Sequence, residues 1–222
     1  MDNYFWKYMT GKGRRMHIQK GAFIYQHSDD PSEDFIYLLD EGICALTSMT
    51  MDGEENIHLY FHPCRLIAFN QHIITEKVNP ASDIRFAIIA KTECTVYQIP
   101  LSTFRSLLRT DMDFNQFVMQ TLANNYQEVL VHLHWRGEKS AIARLCYLLL
   151  EIAHSNRKQN LIPKFFTYAE LAKYLGVHQV TVSRIMTKIK KLGYVKKCPE
   201  GLTIEDEKSL WTLAENEAQF KY

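Results

Sequence analysis

The sequence predicts an α+β chain in three parts: an all-β domain over residues 1–110, one long helix over 111–136, and a winged helix-turn-helix over 137–222. Three observations lead there. From about Met16 to Pro100, short runs of branched and aromatic residues alternate with turn signals. From Asp111 to His134, apolar residues recur every three or four places with no glycine or proline among them. Beyond Thr167, two helical patterns flank a glycine and a short hairpin pattern follows.

The strand runs are R-M-H-I, F-I-Y, F-I-Y-L-L, C-A-L-T-S-M, N-I-H-L-Y-F, R-L-I-A-F, R-F-A-I-I-A and T-V-Y-Q-I-P. They are separated by Lys20-Gly21, Asp29-Asp30-Pro31, Glu41-Gly42, Asp52-Gly53, His62-Pro63 and Asn79-Pro80. Met51-Asp52-Gly53-Glu54 reads as a tight hairpin, since Asp-Gly tolerates the positive φ angles of a type I′ turn. Many short strands at regular spacing imply a small barrel or sandwich.

In the long helix, Phe114, Val118, Leu122, Tyr126, Val129 and Leu133 form a stripe. By periodicity alone it packs equally well on its own domain or on a twin helix. Arg136-Gly137-Glu138 reads as a hinge, followed by a helix from Ser140 to Ala153 with Ile142, Leu145, Cys146, Leu148, Leu149 and Ile152 buried. A polar loop covers Ser155 to Asn160.

The most informative stretch is G-V-H-Q-V-T-V-S-R, Gly176 to Arg184. Thr167 and Glu170 form a capping box at the first helix start, and Gly176 permits a sharp turn. The second helix, His178 to Leu192, buries Val182, Ile185, Ile189 and Leu192 and presents Gln179, Thr181, Ser183, Arg184, Lys188 and Lys191. Two short helices around a tight turn, with the second polar at its N-terminal end, suit entry into a DNA major groove. Tyr194 to Ile204 reads as a wing around Pro199-Glu200-Gly201, with Lys196 and Lys197 placed to reach phosphates, and a short helix through Leu210, Trp211 and Leu213 closes the pattern. One such motif rarely buries enough surface to be specific, which favours the long-helix stripe as a dimer seam.

Composition agrees. The 222 residues are 46% hydrophobic and 23% charged, with a net charge of only +1. Between Arg136 and Ile204, thirteen lysines and arginines face four acids, so this segment carries +9 and the remainder −8. A basic module joined to an acidic one suits a polyanion reader with a separate sensing domain. No apolar run reaches membrane-spanning length and no signal-peptide pattern opens the chain, so no membrane partner and a cytoplasmic location are expected. Cys44, Cys64, Cys94, Cys146 and Cys198 are scattered singly, without metal-ligand spacing, and are expected to be reduced and mostly buried. Cys198 is the candidate regulatory thiol, because the neighbouring Lys196 and Lys197 would favour its thiolate.

A β-roll, a long dimer helix and a winged helix, in that order, resemble the cyclic-AMP receptor protein and FNR superfamily of bacterial transcription regulators. The resemblance spans nearly the whole chain and is strongest at G-V-H-Q-V-T-V-S-R-I-M-T-K-I-K-K-L-G, with A-K-T-E-C-T-V-Y-Q-I-P similar to the family's last β-roll strand. It implies a double-stranded, cyclic-nucleotide-binding-like β-roll, and a homodimer on a near-palindromic operator in double-stranded DNA. A small-molecule effector and RNA polymerase are the further implied partners. Carried over, Gln179, Val180, Ser183 and Arg184 fall where the family reads base edges, Thr181 where it contacts phosphate, with Lys188, Lys196 and Lys197 as further DNA contacts. Val180 departs from the glutamate many members place there and would press on a thymine methyl.

The sensor side departs further. Ala68 and Phe69 stand where cyclic-nucleotide members carry Gly-Glu, and S-D-I-R-F-A lacks their Arg-Ser, so cyclic AMP is not expected. The first 43 residues contain no cysteine, so neither is the iron–sulfur cluster of the oxygen-sensing branch. Phe69, His72, Arg85, Tyr126 and Gln127 are the candidate effector contacts, and Arg85 could hold a carboxylate or phenolate. The recognition-helix motif is also similar to regulators of organohalide respiration, which makes an aromatic acid the expected effector class. His132 and His134, two apart on a helix, face differently and make a poor metal pair, and no metal is expected. The competing reading is a metal-dependent, cupin-like enzyme fused to a winged helix. His58 and His62 offer a start, but no matching glutamate and third histidine follow. No catalytic triad, P-loop or dinucleotide motif is present, so the chain is read as no enzyme.

Overall fold

The structure, a computed structural model, describes residues 3–26, 35–49, 55–73, 86–155 and 160–215. They divide into two compact units, Met1–Val129 and Leu130–Tyr222.

In the first unit the described strands are β1 (Arg14–Ile18), β2 (Phe23–Gln26), β3 (Phe35–Glu41), β4 (Cys44–Met49), β5 (Glu55–Phe61), β6 (Arg65–Ile67), β7 (Phe86–Ala90) and β8 (Cys94–Pro100). They form two antiparallel sheets ordered β1-β8-β3-β6 and β2-β7-β4-β5. Each falls on a run that the sequence marks as a strand. The turns at Asp29-Asp30-Pro31, Met51 to Glu54 and Asn79-Pro80 lie outside the described residues, but β4 and β5 pair from Cys44↔Phe61 to Met49↔Glu55.

Strand β3 shows why F-I-Y-L-L is an unbroken apolar run. Its side chains alternate between two cores. Tyr37 and Leu39 join Cys44, Leu59, Phe61, Ile67, Ile88 and Val96 in one cluster, while Ile36 and Leu38 join Leu66, Phe69, Ile99, Phe104 and Phe114 in another. The second cluster is completed by helices. These are α1 (Asn3–Lys12), which contributes Met9, α2 (Leu101–Thr110), which contributes Leu101, Phe104 and Leu107, and α3 (Met112–Glu138), which contributes Phe114 and Val118.

The sequence reading did not foresee α1 or α2. Helix α2 has a legible stripe at Leu101, Phe104 and Leu107, but its N-cap position is Pro100, whose side chain makes no cap hydrogen bond. Asp111 then separates it from α3 and caps the latter, its Oδ1 accepting from the Phe114 amide at 2.9 Å.

Helix α3 requires two corrections. It runs through Gly137, so the expected hinge is helical and the break comes at Lys139-Ser140, where Ser140 Oγ accepts from the Ala143 amide at 3.4 Å. One glycine costs a helix only about 1 kcal/mol, too little to break it unaided. The stripe also divides. Phe114 and Val118 are buried and Leu122 packs against their cluster, whereas Tyr126 and Leu133 are 65% and 56% exposed.

The second unit contains α4 (Ala141–Ser155), β9 (Leu161–Pro163), α5 (Tyr168–Leu175), α6 (Gln179–Lys191), β10 (Val195–Cys198), β11 (Gly201–Ile204) and α7 (Glu207–Glu215). All six apolar residues expected to be buried on α4 are buried. The expected wing pairs from Val195↔Ile204 to Cys198↔Gly201, and β9, which was not anticipated, adds a third strand in the order β10-β11-β9. Gly201, at φ 151°, leaves room for that strand: a Cβ there would run into the Ile162 carbonyl oxygen and lie 2.9 Å from the Lys164 amide nitrogen. Gly201→Ala is therefore expected to lower the urea midpoint of this unit. An unchanged midpoint would show that the close approach is not needed.

Candidate nucleic-acid interface

Local chemistry builds the bihelical motif. Thr167 Oγ1 accepts from the Glu170 amide at 3.2 Å, starting α5, and Gly176 ends it in the left-handed conformation, φ 63° and ψ 41°. His178 caps α6, its Nδ1 accepting from the Val180 amide at 3.3 Å. Arg144 of α4 donates from Nη1 to the Leu175 carbonyl at 2.9 Å, satisfying an acceptor that the end of α5 leaves open. Lys190 Nζ donates to the Tyr168 hydroxyl at 2.8 Å and lies 5.3 Å from that ring's centroid, so this lysine ties α6 to α5.

Burial sorts the faces of α6. Val182, Ile185, Met186 and Ile189 are buried. Leu192, expected on the same stripe, is the C-cap and is 49% exposed. Opposite the buried stripe, Val180, Arg184, Thr187 and Lys191 are all exposed at spacings of three or four, with Val180 at 49%. Gln179 is exposed beside them, and Thr181, Ser183 and Lys188 are half-buried at the edges. Thr187 was not singled out from the sequence, although its spacing from Val180 and Arg184 places it on this face. Its hydroxyl donates to the Ser183 carbonyl at 2.8 Å.

On the wing, Lys196 and Lys197 are both exposed and, as consecutive strand residues, project to opposite faces. The Cys198 thiol is held below its usual range, first by the Thr203 side-chain hydrogen bond and then by backbone hydrogen bonds from Glu200 and Gly201. The lysines invoked from the sequence are not the cause.

The proposed effector contacts lie in different environments. Phe69 is 1% exposed and meets Phe104 edge-on at 6.2 Å, within the core. Ala68, before it, sits at φ 60°, a conformation that favours glycine. His72 is half-buried in a 3-10 turn, Asn70–His72, while Tyr126 and Gln127 are exposed on α3. Arg85 lies outside the described residues. Sequence reasoning missed a polar contact near them, in which Arg65 of β6 bonds Asn125 and Glu128 of α3.

The cupin-like alternative gains nothing from the strands. His58 shares a hydrogen bond of 2.7 Å with Ser48 and meets Phe86 edge-on. Burial, and then the Arg65 charge, lower His62 to about 4. Among the described residues no group of three His, Cys, Asp or Glu could hold a metal ion, and no helix is long and apolar enough to cross a membrane.

Comparison with known proteins assigns both halves. Residues 15–111 match the cyclic nucleotide-binding domain and residues 143–213 match the Crp-like helix-turn-helix domain. The chain belongs to the CRP/FNR superfamily of transcription regulators. The fumarate and nitrate reduction regulatory protein of Yersinia pestis is 24% identical over 210 residues, 91% of this chain and 79% of that protein. FixK2 from Bradyrhizobium japonicum superposes with a TM-score of 0.74 at 17% identity, covering 90% of this regulator and 96% of FixK2. CprK in complex with OCPA gives 0.58 at 19% identity over 95% and 92% of the two chains. This CRP/FNR regulator thus pairs an effector-binding domain with a helix-turn-helix DNA-binding domain.

Proposed function

We propose that this regulator is a homodimer that places α6 of each protomer in successive major grooves of a near-palindromic operator, under control of a small-molecule effector. The observation that carries the reading is the exposed face of α6, polar and basic around Arg184, over a fully buried opposite stripe. Arg184 donates two parallel hydrogen bonds to a guanine, Val180 meets a thymine methyl, and Gln179 and Ser183 contact neighbouring base edges. Thr181, Lys188 and one of the two wing lysines, Lys196 or Lys197, hold phosphates. The dimer brings half-sites about 34 Å apart onto one face of the duplex. RNA polymerase and a cytoplasmic setting belong to the same reading, as do functional boundaries near residues 110 and 136.

Selection of bound sequences from random duplex DNA tests this. A two-fold-related motif of two half-sites is expected, and a single asymmetric site or no enrichment would overturn it. Because Lys196 and Lys197 project oppositely, Lys196→Ala and Lys197→Ala should act unequally. One should lower the slope of log affinity against log salt by about 0.9, the value for one phosphate, while the other changes it little. Equal slopes with altered base preference would mean that the wing reads bases.

For the effector, cyclic AMP and an iron–sulfur cluster are both set aside. Phe69 is spent on packing where a carboxylate would be needed for a ribose hydroxyl, an acceptor whose loss costs about 1–3 kcal/mol. Cys44, Cys94 and Cys146 are buried, with their thiols raised by burial, Cys146 to about 12. Millimolar cyclic AMP should leave the melting temperature unchanged, whereas a ligand at a hundredfold its Kd adds about 2.7 kcal/mol. A clear shift that also switches on operator binding would reinstate the nucleotide.

A further inference from the structure

Val180, Arg184, Thr187 and Lys191 form the exposed line of α6, and their chemistry is uneven. Val180 has no polar side-chain atom, while Arg184 and Lys191 can only donate hydrogen bonds. Thr187 therefore brings the only acceptor among these four. Its hydroxyl hydrogen is committed to the Ser183 carbonyl at 2.8 Å, so the oxygen has only lone pairs left to offer. Nothing in the helix itself asks for a threonine here. A β-branched residue at an exposed mid-helix position forms helix less well than alanine or lysine. A hydroxyl bonded back to the carbonyl four residues earlier adds a slight destabilisation. The packing of α6 is carried on the opposite side, by Val182, Ile185, Met186 and Ile189.

Spacing says which base pair Thr187 meets. It lies three residues beyond Arg184, about 4.5 Å along the helix axis, or roughly one base-pair step. Val180 lies on the other side of Arg184, so the three side chains follow the groove in the order Val180, Arg184, Thr187. In the major groove adenine and cytosine present amino groups, N6 and N4, that an acceptor can take, whereas guanine and thymine present none. We infer that Thr187 is a specificity-determining residue of the operator contact. Its hydroxyl oxygen accepts from an adenine or cytosine amino group at the base pair next to the guanine held by Arg184, and excludes guanine and thymine from the strand that it faces. The contact restores to this line the acceptor that Val180 cannot supply. The inference rests on the reading of α6 as the recognition helix of a dimer on a two-fold operator.

The test selects bound duplexes from random DNA with the full-length wild type and with Thr187→Val, Thr187→Ala and Thr187→Ser, each folded by circular dichroism. Thr187→Val keeps the branched shape and loses the acceptor, whereas Thr187→Ser keeps the hydroxyl. Arg184→Ala, selected in parallel, marks the guanine position. The wild-type motif should hold adenine or cytosine beside that position in each half-site. Thr187→Val and Thr187→Ala should lose this preference and no other, by about fivefold per half-site, the worth of one neutral hydrogen bond. Thr187→Ser should retain it. The slope of log affinity against log salt should be the same in all of them, because no phosphate contact is removed. A wild-type selection without a two-fold motif would overturn the operator reading and the Thr187 contact with it. A two-fold motif that Thr187→Val and Thr187→Ala leave unchanged would overturn the Thr187 contact alone. A lowered salt slope would also overturn it, by making Thr187 a phosphate contact. So would a Thr187→Val variant that kept the preference lost in Thr187→Ala, since the methyl group would then be the reader.

Discussion

Arg184→Ala is expected to cut discrimination between operator and random DNA sharply while leaving weak, salt-sensitive binding. The side chain is exposed at the centre of the α6 face, one turn on from Val180, and its backbone is held in the middle of a capped helix. Truncation therefore removes the base contact without disturbing the stripe of Val182, Ile185, Met186 and Ile189 beneath it. A bidentate arginine–guanine pair is worth about 1–3 kcal/mol, and a dimer uses it twice, so discrimination should fall by roughly thirtyfold or more. Phosphate contacts made elsewhere should persist, leaving the salt slope nearly intact. A competition assay in which the variant kept its full preference would move the recognition surface off α6. A variant that lost all binding together with its folded circular-dichroism signal would instead show that Arg184 supports the fold.

The second large effect concerns the long helix. Met112, Gln116, Met119, Ala123, Tyr126, Leu130 and Leu133 recur at alternating spacings of four and three along α3, and every one is exposed, Met112 at 82% and Met119 at 61%. That is the spacing of a two-helix seam, and a stripe apolar at every position but Gln116, left uncovered at this length, suits an association surface. Met119→Glu should bury an unpaired charge at the centre of a dimer, at a cost of several kcal/mol, and give a folded monomer of 26.0 kDa with weak operator binding. Leu122→Glu, chosen from the sequence stripe alone, should do something different. It should destabilise the first unit itself, because Leu122 packs against Phe114 and Val118 in that unit's own core. Light scattering combined with a urea titration separates the two outcomes. A Met119→Glu protein that remained a stable dimer would place the seam elsewhere.

The two helical stripes explain a failure of the sequence reading. Phe114, Val118, Leu122, Tyr126, Val129 and Leu133 obey helical spacing, but a helix nearly apolar on two faces satisfies more than one stripe. Periodicity cannot say which face meets its own domain. The missed helix α2 failed for another reason, since its stripe is present but no side-chain cap announces its start. The hinge at Gly137 was over-read because a glycine weakens a helix without ending it. Strand β9 is three residues long, too short for alternation to show.

Local chemistry and residue order sufficed for the rest. The strand runs of the β-roll, the Thr167–Glu170 box, the turn at Gly176, most of the buried and exposed faces of α6 and the wing were readable, because each depends on neighbours a few residues apart. What only the tertiary structure decided is set by contacts distant in sequence. Phe69 enters the core against Phe104. Arg65 finds Asn125 and Glu128 some sixty positions on. Arg144 supports the end of α5, and Lys190 is taken up by Tyr168 rather than left for phosphate. A side chain's type states what it can bond, but which long-range partner it meets follows from how strands and helices pack.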